Sequence, residues 1–435
     1  MRHMFAMIAS VALFYCADLA SAQLAPRSRD SYPESRSKKG LQVEDIQDAL
    51  TLGVKHAAIN LNLSQLVDVH ADQDSDDVSS WEFQGRKFYF KNKYVSQLDR
   101  QIKPLSDADV VVNLIILVYR TNDARTDRIM LHPGYDSSAP NRLGAFNNET
   151  ELGRQWLAAT MEFIAARWSR PDQLHGRVAG YIIGNEVNSH WWWSNMGQVS
   201  LRSFADDYLE VLRTTHTAIR RQSSWARVYI SLDHNWNRFH GDCELKAFPG
   251  KHFVDYLASQ TASDDDTEFD WHVAFHPYPE DLFDPRFWED QSAIPSFDSP
   301  RITFKNLAVL VNYFRRTELL CNGRPRRIIL SEQGFHSPAT DEGEAIQAAA
   351  YCYAYKKVEA LQGIDSFILH RHIDHPHEGG LQLGLRHRAD DGSLEGPKKL
   401  IYDCFRYADT PSWREHFDFA LPILGVKDWD EALAR

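Results

Sequence analysis

The sequence predicts a single (β/α)8 barrel, also called a TIM barrel, and three observations carry that prediction. Short apolar stretches alternate with stretches of helical spacing eight times along the 435-residue chain. Such alternation indicates a parallel sheet covered on both faces, and eight units favour a closed barrel over an open sheet. No G-x-G-x-x-G turn follows any of the strands, which argues against a dinucleotide-binding fold.

The eight units follow one another without an internal repeat, and long loops are expected over 121–147 and 280–300. Residues 81–90 predict a hairpin inserted after the second strand, with Gln84-Gly85 at its turn. The predicted strands are 38–41, 54–61, 110–119, 178–187, 228–232, 269–275, 327–330 and 364–370. The predicted helices are 43–52, 94–105, 149–168, 201–221, 253–260, 303–315, 343–361 and 398–407.

The N-terminal region is predicted to be an export address that precedes the barrel. Residues 1–22 combine a basic start, an apolar run and the sequence Ala20-Ser21-Ala22, which is typical of a secretory signal peptide. The apolar run is too short to span a bilayer. Residues 23–37 are polar and predict a flexible lead-in, and 38–435 predict one catalytic domain. The mature protein is therefore expected to be secreted or periplasmic, with no membrane span.

Composition narrows the range of partners. The net charge of −12 disfavours a nucleic acid or an anionic membrane as a partner, while 12 tryptophans are typical of a site that uses flat apolar faces. Four cysteines follow the signal peptide, and they predict either two disulfides, in any of three connectivities, or free thiols. They are Cys243, Cys321, Cys352 and Cys404. The sequence gives no indication of the oligomeric state.

Polar side chains follow six of the predicted strands, at the points where the strands end. In a (β/α)8 barrel the carboxyl ends of the strands meet at one rim, and active sites form there. Six polar endings on one rim exceed what solvation requires, so we expect a site at that rim. The endings are Asn60-Leu61-Asn62, Asn185-Glu186, Asp233-His234-Asn235-Trp236, His276-Pro277-Tyr278, Ser331-Glu332-Gln333-Gly334 and His370-Arg371-His372-Ile373-Asp374.

Two carboxylates stand out among these endings. Glu186 ends the fourth strand and Glu332 ends the seventh, on opposite sides of the predicted mouth. Either residue alone could cap a helix or pair with an arginine. Glycosidic bond cleavage, however, requires two carboxyl groups that flank the scissile bond, one as proton donor and the other as nucleophile or base. The pair therefore favours a glycoside hydrolase.

The order of these motifs resembles the large clan of retaining glycoside hydrolases with (β/α)8 barrels. That clan carries Asn-Glu at the end of strand four, Glu at the end of strand seven and often His-x-Tyr on strand six, as in Asn185-Glu186, Glu332 and His276-Pro277-Tyr278. The resemblance implies that Glu186 is the acid/base and Glu332 the nucleophile of a double displacement. It also implies that Asn185 bonds the sugar 2-hydroxyl and Tyr278 bonds the nucleophile. A poly- or oligosaccharide substrate and no cofactor are expected.

A closer local resemblance connects the chain to a bacterial family of exported proteins of unknown function. It covers most of the mature chain and names no substrate. The segments that carry it are KKGLQVEDIQDALTLGVKHAAIN, GNEVNSHWWW, HPYPEDLFDPRFW, SEQGFHS and HRHIDHPHEGG.

The sequence departs from the clan pattern at two strand ends. The clan usually places an arginine near the end of strand two, where this chain has Asn60 and Asn62, and Arg120 or Arg371 are candidate replacements. The clan often ends strand eight with a tryptophan that supports the sugar, where this chain has His370-Arg371-His372. These differences affect the subsite for the cleaved sugar.

Further binding residues are predicted by chemistry. Aromatic rings can stack on sugar rings and, by burying a carboxyl group, raise its pKa. Such rings are expected at Trp191, Trp192 and Trp236, although packing of the 191–193 triplet onto the rim is an equally simple interpretation. The predicted contacts with sugar hydroxyls are Asn60, His276, His370 and His372.

Two rival functions remain open at this point. His370, His372, His375 and His377, with Asp374 and Glu378, form a dense run that favours a metal-dependent hydrolase. No H-E-x-x-H is present, however, and no metal is predicted. The other rival is a non-catalytic secreted carbohydrate-binding barrel. Such a protein has no need for two paired glutamates, which favours an enzyme. Serine catalysis is disfavoured because no G-x-S-x-G elbow occurs.

Overall fold

Eight parallel strands close into a barrel, as the sequence predicts. The computed structural model describes residues 31–261 and 269–435. Its strands are β1 (Lys39–Gln42), β2 (His56–Asn62), β3 (Val78–Phe83), β4 (Arg86–Lys91), β5 (Val111–Tyr119), β6 (Leu143–Gly144), β7 (Val178–Ile183), β8 (Arg227–Leu232), β9 (His272–Phe275), β10 (Ile328–Leu330) and β11 (Ile364–Leu369). The barrel runs β1-β2-β5-β7-β8-β9-β10-β11 and returns to β1, with every pairing parallel.

Helices cover the outside of this barrel. They are α1 (Ile46–Thr51), α2 (Leu63–Leu66), α3 (Asn92–Asp107), α4 (Ala124–Met130), α5 (Glu151–Trp168), α6 (His190–Trp193), α7 (Leu201–Gln222), α8 (Gly250–Thr261), α9 (Ala308–Tyr313), α10 (Asp341–Ala360), α11 (Leu400–Tyr407), α12 (Trp413–Phe417), α13 (Ala420–Leu424) and α14 (Trp429–Ala434). Strands β3 and β4 form the predicted hairpin, and Gln84 and Gly85 at its turn have φ of 51° and 76°. Helices α12 to α14 extend the chain beyond the last predicted helix.

Two hydrophobic clusters fill the molecule. The larger one lies between the strands and the helices, as expected for strands that are buried on both faces. The smaller one, here called the inner cluster, contains alternate residues of the strands, which point into the barrel. It consists of Ala58, Ile115, Leu117, Leu143, Ile182, Tyr229, Ala274, Ile329 and Ile368. Glycine is required at Gly40, because a Cβ there would lie 2.8 Å from Ile368 Cγ1.

The segment before β1 closes the barrel at the amino ends of the strands. The Arg227 guanidinium lies over the Tyr32 ring, 3.5 Å from its centroid, and the Tyr32 and Tyr229 hydroxyls are 3.4 Å apart. Residues 31–37, predicted to belong to a flexible lead-in, therefore pack against the barrel through an aromatic residue within that polar stretch. The predicted signal peptide 1–22 and residues 23–30 lie outside the described residues. Within the described ranges, no helix has the length and apolar character needed to cross a membrane.

The four cysteines are free thiols in the structure. Cys352 and Cys404 are buried, and their thiols are in hydrogen-bond contact between α10 and α11. Cys243 and Cys321 are partly exposed. Of the two alternatives that the sequence leaves open, the structure has the free thiols.

Candidate active site

A layer of polar side chains lies directly above the inner cluster at the carboxyl ends of the strands. Each member follows an inward-pointing residue by two positions, so the alternation of the strand turns it toward the barrel axis. Asn60 is exposed although Ile59 and Leu61 on either side of it are buried, which shows that the mouth is open to solvent at this strand. The members of the layer are Gln42, Asn60, Ser231, His276, Ser331 and His370.

Glu186 enters the mouth from a sharply turned backbone. Strand β7 ends at Ile183, four residues before the predicted end, because Gly184 (φ 78°) and Glu186 (φ 39°) adopt left-handed conformations. A left-handed non-glycine residue is strained, and such strain is concentrated at functional sites. The loop is anchored by Asp233, whose carboxylate accepts hydrogen bonds from Asn188 Nδ2 at 2.6 Å and from the Ser189 hydroxyl.

The surroundings of Glu186 favour its protonated form. Its Oε1 lies 2.9 Å from His276 Nδ1, and its backbone N–H donates to the Ser231 hydroxyl at 2.9 Å. Burial raises the pKa of Glu186 to about 7, against the opposing effect of the His276 hydrogen bond. Burial lowers the pKa of His276, but the hydrogen bond to Glu186 and the nearby charges of Glu332, Glu186 and Asp233 together outweigh it, so this pKa is raised. The pair therefore holds a proton between its two members near neutral pH.

Glu332 has the opposite electrostatic character. Tyr278 donates from its hydroxyl to Glu332 Oε1 at 3.3 Å, and Gln42 Nε2 donates to Glu332 Oε2 at 3.2 Å. Burial acts to raise the pKa of Glu332, but the His370 and His276 imidazoles and the Gln42 hydrogen bond outweigh it, so the pKa is lowered. Burial keeps the pKa of Tyr278 well above its usual value, and its hydroxyl remains a donor. Glu332 is therefore ionised at neutral pH.

The two carboxyl groups face each other across a short gap. One oxygen of Glu186, one oxygen of Glu332 and a ring nitrogen of His276 all lie within 4.8 Å of one another. Two carboxyl groups of unlike pKa at this separation can act as an acid and a nucleophile on one bond.

A chain of polar contacts extends from Glu332 through the end of β11. His370 Nδ1 lies 2.7 Å from Gln42 Oε1, and its Nε2 lies 3.5 Å from Glu378. Arg371 forms ion pairs with Glu378 and, at 3.0 Å, with Glu44. Arg371 is thus occupied by two carboxylates, and Gln42, rather than an arginine, holds the Glu332 carboxylate. The other candidate replacement, Arg120, is exposed on the surface.

The structure brings most of the predicted hydroxyl-binding residues together. Asn60 and His370 belong to the polar layer of the mouth, Tyr278 bonds Glu332, and Asn185 precedes Glu186 in the chain. His276 also belongs to the layer, but it is buried and its ring nitrogens contact Glu186 and Ser331, so it positions the acid rather than contacting a sugar. His372 does not belong to the layer, because it lies beyond the end of β11, where its ring turns toward Asp48 on α1. It is fully buried, with Nε2 3.0 Å from Asp48 Oδ2, so it has no surface for a ligand.

Trp191, Trp192 and Trp236 were expected to stack on sugar rings, but the structure does not bring them together in the mouth. Trp236 is fully buried, donates from Nε1 to Phe297 O and packs edge-on against Tyr313, so it belongs to the core. Trp191 is 5% exposed and lies under the Lys246 ammonium. Trp192 is half-buried and contacts His240.

Trp193, the third member of the triplet, is the one that packs against the inner cluster from the mouth. It is half-buried there, as is Tyr119 at the end of β5. Both rings are therefore candidate platforms for a sugar.

Sequence reasoning missed Gln42, Ser231 and Tyr119 as residues of the mouth. It named Ser331 at a strand end and Glu378 in the histidine-rich run, without assigning either a role beside the two glutamates. Tyr119 and Gln42 could have been found from the sequence, because each is the last residue of a strand and therefore lies at the rim. Ser231 and Ser331 contact His276 Nε2 at 3.4 Å and 3.0 Å and are small residues within or next to apolar strands, so their sequence signal is weak.

Clusters with the residue types of a metal site occur twice in the described part of the chain. One is Glu186, His276 and Glu332, and the other is His132, Glu149 and Asp207. In the second cluster, Gly134 N–H donates to His132 Nδ1 at 3.0 Å. The ring proton therefore resides on Nε2, and neither nitrogen keeps a free lone pair for a metal. The His370–His377 run forms no such cluster among the described residues, because His370 and His372 are bonded to different carboxylates.

Comparison with solved structures shows the same fold in glycoside hydrolases. A family 39 glycoside hydrolase from Bacteroides cellulosilyticus WH2 matches with a TM-score of 0.56 and 14% identity over 88% of this chain, which spans 65% of that chain. A hyperthermophilic beta-glucosidase from Pyrococcus furiosus matches with a TM-score of 0.53 and 14% identity over 87% of both chains. A GH39 enzyme from Xanthomonas axonopodis pv. citri matches with 0.51 and 14% over 87% of this chain and 67% of that chain.

Sequence comparison gives the family but no activity. No curated protein matches the sequence. The match to a family of unknown function extends over residues 31–432, which is nearly all of the described chain. The chain therefore belongs to DUF5722, a family of unknown function.

Proposed function

We propose that the protein is an exported retaining glycoside hydrolase that cleaves glycosidic bonds in a poly- or oligosaccharide. The observation that carries the proposal is the separation of Glu186 and Glu332, whose nearest oxygens lie within 4.8 Å. Retaining enzymes place their carboxyl groups roughly 5 to 5.5 Å apart, whereas inverting enzymes leave about 6.5 to 9.5 Å for a water molecule. The gap in this protein accords with the retaining geometry.

The opposite pKa shifts assign a role to each carboxyl group. Glu186, with a pKa of about 7, begins the reaction protonated and donates its proton to the leaving glycosidic oxygen. Glu332 begins the reaction ionised and attacks the anomeric carbon, which forms a glycosyl ester and breaks the bond to the leaving group. Glu186 then removes a proton from water, and the resulting hydroxide displaces Glu332 and releases the sugar.

The residues around the pair position it for these steps. Tyr278 and Gln42 hold the two oxygens of Glu332, and His276 holds Glu186. Trp193 and Tyr119 supply flat faces for the sugar ring, and Asn60 and His370 of the polar layer supply hydrogen bonds for its hydroxyls. The likeness of the fold to a family 39 glycoside hydrolase and a beta-glucosidase supports a carbohydrate substrate.

The proposal is tested by incubating the purified protein with a panel of polysaccharides and aryl glycosides, while proton NMR follows the first-formed anomer. Net retention of configuration at the cleaved carbon is the expected result. An inverted first product would contradict the double displacement. Binding of oligosaccharides without any turnover would instead favour the non-catalytic carbohydrate-binding barrel.

A further inference from the structure

A second pocket opens beside the two glutamates, on the side of β1 and β2. It has a volume of about 190 Å³ and lies between the ends of these strands, helix α3 and Arg371. At roughly 30 Å³ per water molecule, this volume corresponds to about six waters, which is room for one sugar ring. The buried side chains of Ile59 and Leu98 close the pocket at the back.

The pocket is connected to the catalytic pair through one residue. Gln42 lines the pocket and also donates to Glu332 Oε2 at 3.2 Å. Glu186 and its partners Ser231 and His276 belong to the β7, β8 and β9 side of the mouth. The pocket therefore extends away from the proton donor, beyond the nucleophile, which is the side of the sugar that becomes attached to Glu332.

The lining of the pocket has no net charge. Among its described residues the charged side chains are Glu44 and Arg371, which form an ion pair with each other at 3.0 Å. Arg371 is bonded to Glu378 as well, so it offers no unpaired cation to a carboxylate or a phosphate. A uronic acid or a phosphorylated sugar would be buried there without a counter-charge, which is unfavourable.

The remaining polar groups match the hydrogen bonding of sugar hydroxyls. Amides that line the pocket offer a donor and an acceptor each, which is the pairing that a hydroxyl group needs. They belong to Asn60, Gln97 and Gln101, whereas the Gln42 amide is bonded to Glu332 and His370. The Tyr94 hydroxyl accepts from Asn62 N–H at 2.9 Å, which leaves its own hydrogen for another acceptor. Apolar groups of Val43 and Ala58 complete the wall.

We propose that this pocket is a subsite for one neutral sugar, the residue that precedes the cleaved ring on its non-reducing side. The proposal rests on the glycoside hydrolase function proposed above and adds to it the class and the number of sugars recognised there. A neutral disaccharide unit is then the preferred group transferred to Glu332.

Kinetics with 4-nitrophenyl glycosides test the subsite. Neutral mono- and disaccharide glycosides, and a disaccharide glycoside that ends in a uronic acid, are compared by kcat/KM. Because two or three new hydrogen bonds form, the neutral disaccharide is expected to be favoured over the monosaccharide by about tenfold or more. A ratio near one, or preference for the uronic acid, would overturn the proposal.

Two matched variants test whether the preference for the disaccharide arises in this pocket. Gln101→Trp fills the pocket and is expected to lower the disaccharide to monosaccharide ratio to near one. Arg100→Trp places the same ring on the exposed side of α3, outside the pocket, and is expected to keep the wild-type ratio. An unchanged ratio in Gln101→Trp would show that the preference arises elsewhere.

A binding measurement separates failure of the subsite from failure of the proposed function. Ligand-observed NMR records binding of the same neutral disaccharides to the wild type and both variants. Disaccharide binding that Gln101→Trp abolishes, without hydrolysis of any glycoside, would contradict the proposed function and support the subsite. Hydrolysis of monosaccharide glycosides without such binding would contradict the subsite alone, and absence of both would contradict both.

Discussion

Gln42 Nε2 lies 3.2 Å from Glu332 Oε2, so the first strand of the barrel holds the carboxylate that follows the seventh. The same amide reaches His370 through its oxygen at 2.7 Å. A neutral amide in this position stabilises the ionised carboxylate by hydrogen bonding rather than by full charge. The acidity of Glu332 therefore depends on Gln42.

Replacing Gln42 is expected to change the acidic side of the pH profile. In Gln42→Leu the hydrogen bond that lowers the Glu332 pKa is lost, so that pKa rises and a larger fraction of Glu332 is protonated in mild acid. The acidic limb of kcat/KM against pH should shift to higher pH. Gln47→Leu, an exposed position on α1, serves as the control and should keep the wild-type profile. An unshifted limb in Gln42→Leu would contradict the role of Gln42.

The alkaline side of the profile should report Glu186. Its pKa, raised to about 7, keeps Glu186 protonated below that pH. The value of kcat/KM should therefore fall as the pH rises through about 7. In Glu186→Ala that limb should disappear. The variant should retain hydrolysis of glycosides with a good leaving group, such as dinitrophenolate, far better than of alkyl glycosides, because only poor leaving groups need the proton. Equal losses on both substrate types would argue against Glu186 as the acid.

Glu332→Ala should abolish turnover, because the substitution removes the carboxylate that forms the glycosyl ester. Added azide should restore part of the activity by entering the space of the lost carboxylate, and its product should have the opposite anomeric configuration. Circular dichroism and the melting temperature report whether the fold is intact. Glu82→Ala, on the exposed face of the β3–β4 hairpin, is the matched control. Near-normal hydrolysis by Glu332→Ala would rule out the proposed mechanism.

A metal-dependent mechanism predicts a different outcome from the two-carboxylate mechanism. Glu186, His276 and Glu332 have the residue types of a metal site, so a bound cation is the rival explanation of their proximity. Exhaustive dialysis against EDTA should leave kcat unchanged if the carboxyl groups act alone. Loss of activity that a divalent cation restores would favour the metal-dependent hydrolase.

Asp48 is expected to be important for stability rather than for catalysis. Its carboxylate, 12% exposed, binds His372, accepts two hydrogen bonds from Arg386 at 2.8 and 2.9 Å and one from the Tyr402 hydroxyl at 2.6 Å. Asp48→Ala leaves these partners unpaired and should lower the free energy of unfolding by about 3 kcal/mol. Denaturant titration measures the loss, with the exposed Asp72→Ala as control.

The effect of Asp48 should depend on pH in a defined direction. Arg386, His372 and Tyr402 lower the pKa of Asp48 far below its usual value, against the effect of burial. The stabilising contribution is therefore complete above the unfolded-state pKa of about 4 and is lost as the pH falls toward the folded-state pKa. The stability difference between the wild type and Asp48→Ala should narrow below pH of about 4. A constant difference over the whole range would contradict the ion-pair explanation.

The barrel could be predicted because its apolar strands alternate with helices. The two glutamates could be predicted because each lies within three residues of the end of such a strand. Glu186 and Glu332 need only the strand assignment and the rule that strand ends share one rim. The strand rule could not show which ring of the triplet Trp191, Trp192 and Trp193 faces the mouth. Successive residues of a helix point about 100° apart, and the orientation of the single-turn α6 depends on the Asp233 anchor of the preceding loop. His372 and Trp236 were misassigned because they lie beyond the strands, where alternation no longer sets the direction.

The contact of Tyr32 with Arg227 and Tyr229 has a practical consequence. This contact lies at the amino ends of the strands, and the two glutamates lie at the carboxyl ends. Ser31, the first described residue, therefore lies on the face opposite the mouth. An affinity tag or a surface-immobilisation linker joined there should leave the mouth accessible to a long polymer.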